Sequence, residues 1–116
     1  TADLHVGYRV HAHILMSSQG RPSLLVAEDG RGTAVRPTLG GMVLDASRRV
    51  HGNRWRRLAH RLTGAFDPYD VHDQLQADVI ATLNHEQATN WQQTRATWAV
   101  AKENFAAMRA FLTQLP

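Results

Sequence analysis

The first half of the chain alternates between apolar and polar positions in short segments. Residues 5–17 carry an apolar side chain at almost every second position, from Val6 to Met16, which is the period of a half-buried β-strand. Gly, Pro and Asp-Gly signals separate this segment from two further apolar ones. The pattern therefore predicts an antiparallel meander of three strands, with a possible fourth, over residues 5–17, 23–28, 33–39 and, if not helical, 42–50.

The second half of the chain follows a helical period instead. Apolar residues recur three and four positions apart, and good N-cap residues precede the candidate helices. Residues 89–92, Thr-Asn-Trp-Gln, have the form of a capping box and mark the start of the last helix. We predict three helices, over residues 54–63, 68–86 and 90–115. The expected fold class is α+β: an antiparallel meander of three or four strands, then three helices, the last of them long and heptad-patterned.

The last predicted helix carries a seven-residue apolar repeat. Large side chains stand at one heptad position and Thr94, Ala101, Met108 and Leu115 at the alternate one, which is the pattern of a helix that packs along a seam. We expect this helix to pair antiparallel with the preceding one or to lie across the sheet. Because one aromatic residue lies off the seam, we also expect a homodimer. Its interface would use Trp91, Trp98, Phe105, Phe111 and Leu112.

Composition limits the classes of function. The 116 residues form one expected domain, mainly strand over 1–46 and mainly helix over 53–116. The absence of cysteine excludes disulfides, thiolate catalysis and cysteine-based zinc sites. No window approaches the length of an apolar membrane span, so we expect no membrane partner and a cytoplasmic location. P-loop, Rossmann and His-Glu-x-x-His motifs are also missing, and we expect no cofactor.

Positive charge is concentrated in residues 48–61, RRVHGNRWRRLAHR, with six arginines, two histidines and no acid. In the predicted helix, Trp55, Leu58 and Leu62 share an apolar face that would bury, while the arginines occupy another face. Guanidinium groups on successive turns can contact several phosphates at once. We therefore expect a small, non-enzymatic nucleic-acid-binding or accessory protein. Its candidate binding residues are Arg48, Arg49, Arg54, Arg56, Arg57, His60 and Arg61.

An acidic block follows the arginines directly, because residues 67–90 carry a net charge of −5. The arginines could pair with these acids within the fold, which favours an oligomerising interaction module instead. A protein that binds a small anionic ligand is a further alternative.

A final alternative comes from His11 and His13. If residues 5–17 form a strand, these two side chains project from the same face with a spacing suited to a metal ion. The segment VHAHILM, residues 10–16, resembles the His-hydrophobic-His strand of the HUH endonucleases, which nick DNA. The resemblance implies a metal-dependent nuclease with His11 and His13 as metal ligands and Tyr8 or Tyr69 as nucleophile. The family's Tyr-x-x-Lys pattern is missing, since the sole lysine is Lys102.

Overall fold

The computed structural model describes residues 3–49, 58, 61–62, 69–71 and 74–116. In the first half, three strands alternate with two helices: β1 (His5–Gly7), α1 (Val10–Ser18), β2 (Ser23–Ala27), α2 (Gly30–Thr38) and β3 (Met42–Asp45). An antiparallel two-stranded ribbon and two longer helices follow: β4 (Ser47–Arg49), β5 (Tyr69–Val71), α3 (Leu75–Ala88) and α4 (Gln92–Leu112).

The three-stranded sheet is parallel, with the order β1-β2-β3. The predicted antiparallel meander is therefore wrong, although the broad α+β class holds. Parallel neighbours need a crossover connection, and here α1 and α2 supply it. The prediction of a strand at residues 42–45 is confirmed as β3.

Helix α1 occupies the second half of the segment that we predicted to be one long strand. Its inward face consists of Val10, His13, Met16 and Ser17, at positions i, i+3, i+6 and i+7. This is a helical period, but two of the four residues are polar. The apolar alternation of the sequence therefore concealed the helix.

Helix α2 lies where we predicted a turn and a third strand. Asp29 and Gly30 begin the helix and do not form a hairpin: the Asp29 carboxylate accepts hydrogen bonds from the amides of Arg31 and Gly32. Gly32 has to lack a side chain, since a Cβ there would lie 2.7 Å from the Cβ of Ala27 on β2. Close contact between α2 and the sheet follows from this glycine.

The sheet buries both of its faces. Leu25, Ala27 and Val43 pack against α1 and α2, where Val10, Val35 and Leu39 cover them. The alternate side chains point the other way and pack against α3 and the start of α4. They form a second cluster, which consists of Leu24, Val26 and Met42 with Leu44, Ala46, Leu75, Val79, Leu83 and Trp91.

The second predicted helix begins later than the sequence suggested. Residues 69–71 form β5, and α3 starts at Leu75 rather than at residue 68. The break between the last two helices is at the predicted place, since α3 ends at Ala88 and α4 begins at Gln92. Helix α4 packs against α1, not along α3.

The start of α4 is capped by a residue of α3. The Glu86 side chain is fully buried, and its two oxygens accept hydrogen bonds from the amides of Gln93 (3.1 Å) and Thr94 (3.3 Å). The predicted capping box is not formed, because the Thr89 hydroxyl donates backwards to the carbonyl of His85. Trp91 has left-handed backbone angles, and its amide bonds to the Glu86 carbonyl, which closes the turn. A buried carboxylate thus sets the direction in which α4 leaves α3.

Within the described residues, no helix has both the length and the apolar character needed to cross a membrane.

Glu86 should therefore be a large determinant of stability. Glu86→Ala leaves the amides of Gln93 and Thr94 without their acceptors, the second of them buried, and we expect the free energy of unfolding to fall by about 1–3 kcal/mol. Glu86→Gln keeps one acceptor oxygen and should be less destabilising. Urea denaturation followed by circular dichroism measures both changes. Glu103→Ala is the control, because Glu103 is exposed on α4; equal destabilisation at the two positions would contradict the capping role.

Candidate functional site

The carboxyl ends of the three parallel strands meet at one edge of the sheet, which we call the carboxyl edge. β1 ends there at Gly7, β2 at Ala27 and β3 at Asp45. Open parallel sheets place their ligands beyond this edge, because the loops and helix N-termini that follow the strands converge there. The first side chains past β1 and β2 are therefore the candidates for binding.

Helix α1 begins at this edge without a side-chain cap. Arg9 occupies the N-cap position in an extended conformation, and its side chain makes no capping hydrogen bond. The amides of the first turn thus lack an N-cap acceptor, and the helix end carries a partial positive charge. Arg9 and His11 are both exposed here. Together these groups favour an anion.

The start of α2 is different, because Asp29 already caps it. The hydrogen bond from the Gly32 amide, helped by the amide and guanidinium of Arg31, holds the pKa of the Asp29 carboxyl below its ordinary value, although desolvation acts in the opposite direction. The Arg31 guanidinium also lies 3.3 Å from this carboxylate but is largely exposed. The N-terminus of α2 is therefore occupied by the protein's own anion.

A cleft of about 490 Å³ lies between the two helix starts. It is lined by Tyr8, Val10, His11, Glu28, Asp29, Arg31, Gly32 and Ala34. Tyr8 and the His11 ring line the side near α1, whereas Glu28 and Asp29 line the side at the end of β2. Because the two carboxylates repel negative charge, an anionic group would approach along the α1 side.

Arg36 is committed to the fold. Its guanidinium donates to the Val43 carbonyl at 2.9 Å and lies 3.4 Å from Asp45, at the end of β3. Arg36 therefore links α2 to the edge strand β3, and its guanidinium is less available for binding than an unpaired one.

The arginine-rich stretch begins just past the end of β3, at this same edge. Arg48 and Arg49 lie in β4, three and four residues past the end of β3, and their backbone pairs with β5. Arg61 is exposed and helical. The other predicted binding residues, Arg54, Arg56, Arg57 and His60, lie outside the described residues.

The apolar face that we expected for this stretch is not buried at the two positions that the structure describes. Leu58 and Leu62 are helical, as predicted, but are 48% and 75% exposed, so the prediction that they bury is wrong. Trp55 lies outside the described residues.

His11 and His13 lie on a helix, and the strand argument for a shared face no longer applies. Two positions apart on α1, one side chain is exposed and the other fully buried. The described residues include no group of three side chains suited to hold a metal ion. Metal binding by His11 and His13 stays a prediction, but the two rings do not face a common site.

His13 instead joins a buried polar cluster at the opposite edge of the sheet. Its Nδ1 lies 2.8 Å from the Ser23 hydroxyl, which also lies 2.9 Å from Nδ1 of His5. The Ser23 hydroxyl can accept from either ring and donate to one of them, so the direction of each hydrogen bond depends on the tautomer of the histidine. Sequence reasoning missed Ser23, although its place directly before the apolar run of β2 marks it as the start of a buried strand.

The other side of the His13 ring faces the loop before β3. Its Nε2 is buried with no hydrogen-bond partner among the described residues, and a Cβ on Gly41 would lie 3.6 Å away. An unbonded acceptor costs less than an unbonded donor, so the neutral ring with its proton on Nδ1 fits best. In that tautomer His13 donates to Ser23, and Ser23 donates to His5. Burial, and secondly the charge of His5, lower the pKa of His13.

The predicted interface residues divide between the core and the surface. Trp91 is half-buried against the sheet, whereas Trp98, Phe105, Phe111 and Leu112 are between 40% and 63% exposed. The four exposed residues all lie on α4.

No protein-family model matches the chain, and no curated protein or solved structure shows significant similarity to it.

The buried position of His13 predicts that the protein is less stable in mild acid. Because its pKa is lower in the folded state, the unfolded chain binds the proton first as the pH falls below about 6.5. The free energy of unfolding should therefore fall from pH 7.5 to pH 5, by about 1.4 kcal/mol for each unit of pKa depression.

Urea denaturation at several pH values measures this slope. His13→Gln removes the titrating group and should flatten the slope. His11→Gln serves as the control, since that ring is exposed on the same helix. An unchanged slope in His13→Gln would contradict the assignment.

Proposed function

We propose that this protein binds nucleic acid, through residues 48–61 together with the carboxyl edge from which they emerge. The observation that carries the proposal is a coincidence of position. The most basic stretch of the chain starts three residues after β3 ends, on the side of the sheet where α1 begins without a cap. Two sources of positive potential thus lie at the same edge of the sheet, one after β1 and one after β3, with β2 between those strands.

The start of α1 supplies the first source. An uncapped helix N-terminus attracts phosphate because its amides point at the ligand and the helix dipole favours negative charge. Arg9 can add a bidentate contact to the same phosphate, and His11 adds a hydrogen bond from its exposed ring. Asp29 excludes the start of α2 from this role, which orients the phosphate toward α1.

The arginine-rich stretch supplies the second source. Six arginines without an acid give a net charge of +6 over residues 46–66. Each phosphate contact releases counterions, so such a stretch binds strongly at low salt and weakly at high salt. Exposed Arg61 is available for this contact. The partner would be recognised by its backbone phosphates more than by its bases.

One observation favours the second candidate function, an interaction module whose arginines pair internally. The register of the ribbon places Arg48 of β4 opposite Asp70 of β5. Opposite charges at facing positions of an antiparallel pair stabilise it by roughly 0.2–1 kcal/mol. Arg48 is then a structural residue, and the binding role belongs to the arginines further along.

A salt-titrated binding assay separates the two functions. Fluorescence anisotropy with labelled duplex and single-stranded oligonucleotides gives the slope of log K against log salt. Replacing Arg9, Arg54, Arg57 or Arg61 by alanine should weaken binding and reduce that slope by about one for each phosphate that the variant no longer binds. The melting temperature should hardly change, because a solvated arginine contributes little to folding.

Arg95→Ala is the matched control, because Arg95 is exposed on α4 and lies outside the proposed surface. If the arginine variants bind as the wild type does but melt several degrees lower, the nucleic-acid proposal fails and internal pairing stands.

A further inference from the structure

The second half of α4 projects from the body of the protein with its apolar side chains uncovered. Residues 102–116 are all exposed. The exposed fractions are 63% for Phe105, 50% for Met108, 61% for Phe111, 54% for Leu112 and 53% for Leu115. A solvated helix would carry polar residues at such positions. This face has the composition of an interface.

The uncovered residues continue the heptad seam of the sequence. At the start of α4 the fold itself uses the seam, since Thr94 is buried and Trp91 packs on the sheet. Trp98 still packs on Gly20, but from Phe105 onward the large side chains of the seam are at least half exposed. A repeat of seven residues matches a second helix that lies alongside, because it keeps the same face toward that helix.

A groove of about 680 Å³ runs beside the seam, between α1 and α4. Ser18 of α1 forms one wall, and Ala101, Phe105 and Ala106 are among the α4 residues of the other. Leu15, three positions before Ser18, is 57% exposed next to it. Small alanines at the floor allow another helix to approach closely.

We propose that the occupant is α4 of a second copy of this chain, in antiparallel orientation. A two-fold axis between Ala106 and Ala107 places each large heptad position of one helix opposite an alternate heptad position of the other. Trp98 then faces Leu115 of the second copy, Ala101 faces Leu112, and Phe105 faces Met108. Each layer is thus formed by the same two residues from both copies, as an isologous interface requires.

The exposed area fits this occupant. An aromatic side chain presents roughly 150–250 Å² when fully exposed, so Trp98 and the five C-terminal residues together expose on the order of 600 Å². Leu15 and Ile14 on α1 are exposed as well. A stable interface buries about 800 Å² on each partner, so the exposed apolar area is of the same order as such an interface.

The orientation follows from the position of the body of the protein. The first half of α4 packs on α1, with Trp98 against Gly20, so a parallel pair would place two bodies at the same end. The antiparallel pair separates them by the length of the projecting half-helix. Each C-terminal end then reaches the groove of the other copy.

Charge gives the register a distinguishing signature. Lys102 and Arg109 flank the seam on one side, and the proposed register brings Lys102 near Arg109 of the second copy. The repulsion is small because both are exposed, and Lys102 already lies 4.0 Å from the centre of the Trp98 ring. An acidic helix of another protein would instead be attracted by these cations. Reversing one charge therefore distinguishes the two occupants.

The first test is sedimentation equilibrium of the full chain without nucleic acid. We expect a dimer at tens of micromolar protein. Phe105→Asp and Met108→Asp should each raise the dissociation constant at least tenfold, whereas Ala107→Asp, on the outer side of the same helix, should leave it unchanged. Circular dichroism checks that all variants fold. A monomeric wild type, or equal effects of all three changes, overturns the proposal.

The second test uses Arg109→Glu. In the antiparallel register it replaces two repulsions by two attractions, and dimerisation should tighten by roughly threefold to tenfold. Weaker dimerisation would overturn the register. If the wild type is monomeric and a synthetic acidic amphipathic peptide binds it but not Arg109→Glu, the occupant is a different protein.

The third test exploits the absence of cysteine from the chain. A mixture of Ala101→Cys and Leu112→Cys chains should form the mixed disulfide dimer under mild oxidation, because these positions face each other. Neither variant should cross-link efficiently with itself. Preferential self-cross-linking of Ala101→Cys would indicate a parallel pair and overturn the proposal. None of these measurements depends on nucleic-acid binding.

Discussion

The central strand β2 is the constraint on which the rest of this fold depends. All five of its residues are buried, since it has a strand on each side and helices over both faces. A strand in that position cannot be joined to parallel neighbours by tight turns. The chain must therefore cross over through α1 and α2, and one edge of the sheet collects every strand end. Burial of Leu24 and Leu25 on opposite faces thus decides where a ligand can approach.

The two edges of the sheet have opposite properties as a result. At the amino edge, Glu86 caps the start of α4, and the buried side chains of His13 and Ser23 are hydrogen-bonded to each other. Gly41 has to be glycine there, because its φ is +89° and a Cβ would lie 2.9 Å from Thr97 Oγ1. The carboxyl edge keeps its charges exposed. The buried polar groups that stabilise the fold, His13, Ser23 and Glu86, are therefore one short strand away from the exposed Arg9 and His11.

Sequence patterns identified what depends on local periodicity. The apolar run of β2, the strand at Met42 and the break between the last two helices were predicted correctly. The two crossover helices were not, because α1 buries His13 and Ser17, and Asp29 acts as a helix cap where the same dipeptide elsewhere makes a hairpin. The role of Glu86 depends on a contact between two helices, which no local window contains. Tertiary context decided each of these cases.

The heptad of α4 shows how one pattern can serve two surfaces. At the start of the repeat, Trp91 packs against the sheet of the same chain. The residues from 102 onward are exposed and lie beyond that packing. A helix that served only the fold could end once that packing is complete. The helix continues for more than three further turns, with Phe105, Met108 and Leu112 exposed. Such exposed apolar residues lower solubility and add no packing within the monomer. The repeat has the period that a partner helix alongside would need, which is the role that the proposed dimer gives it.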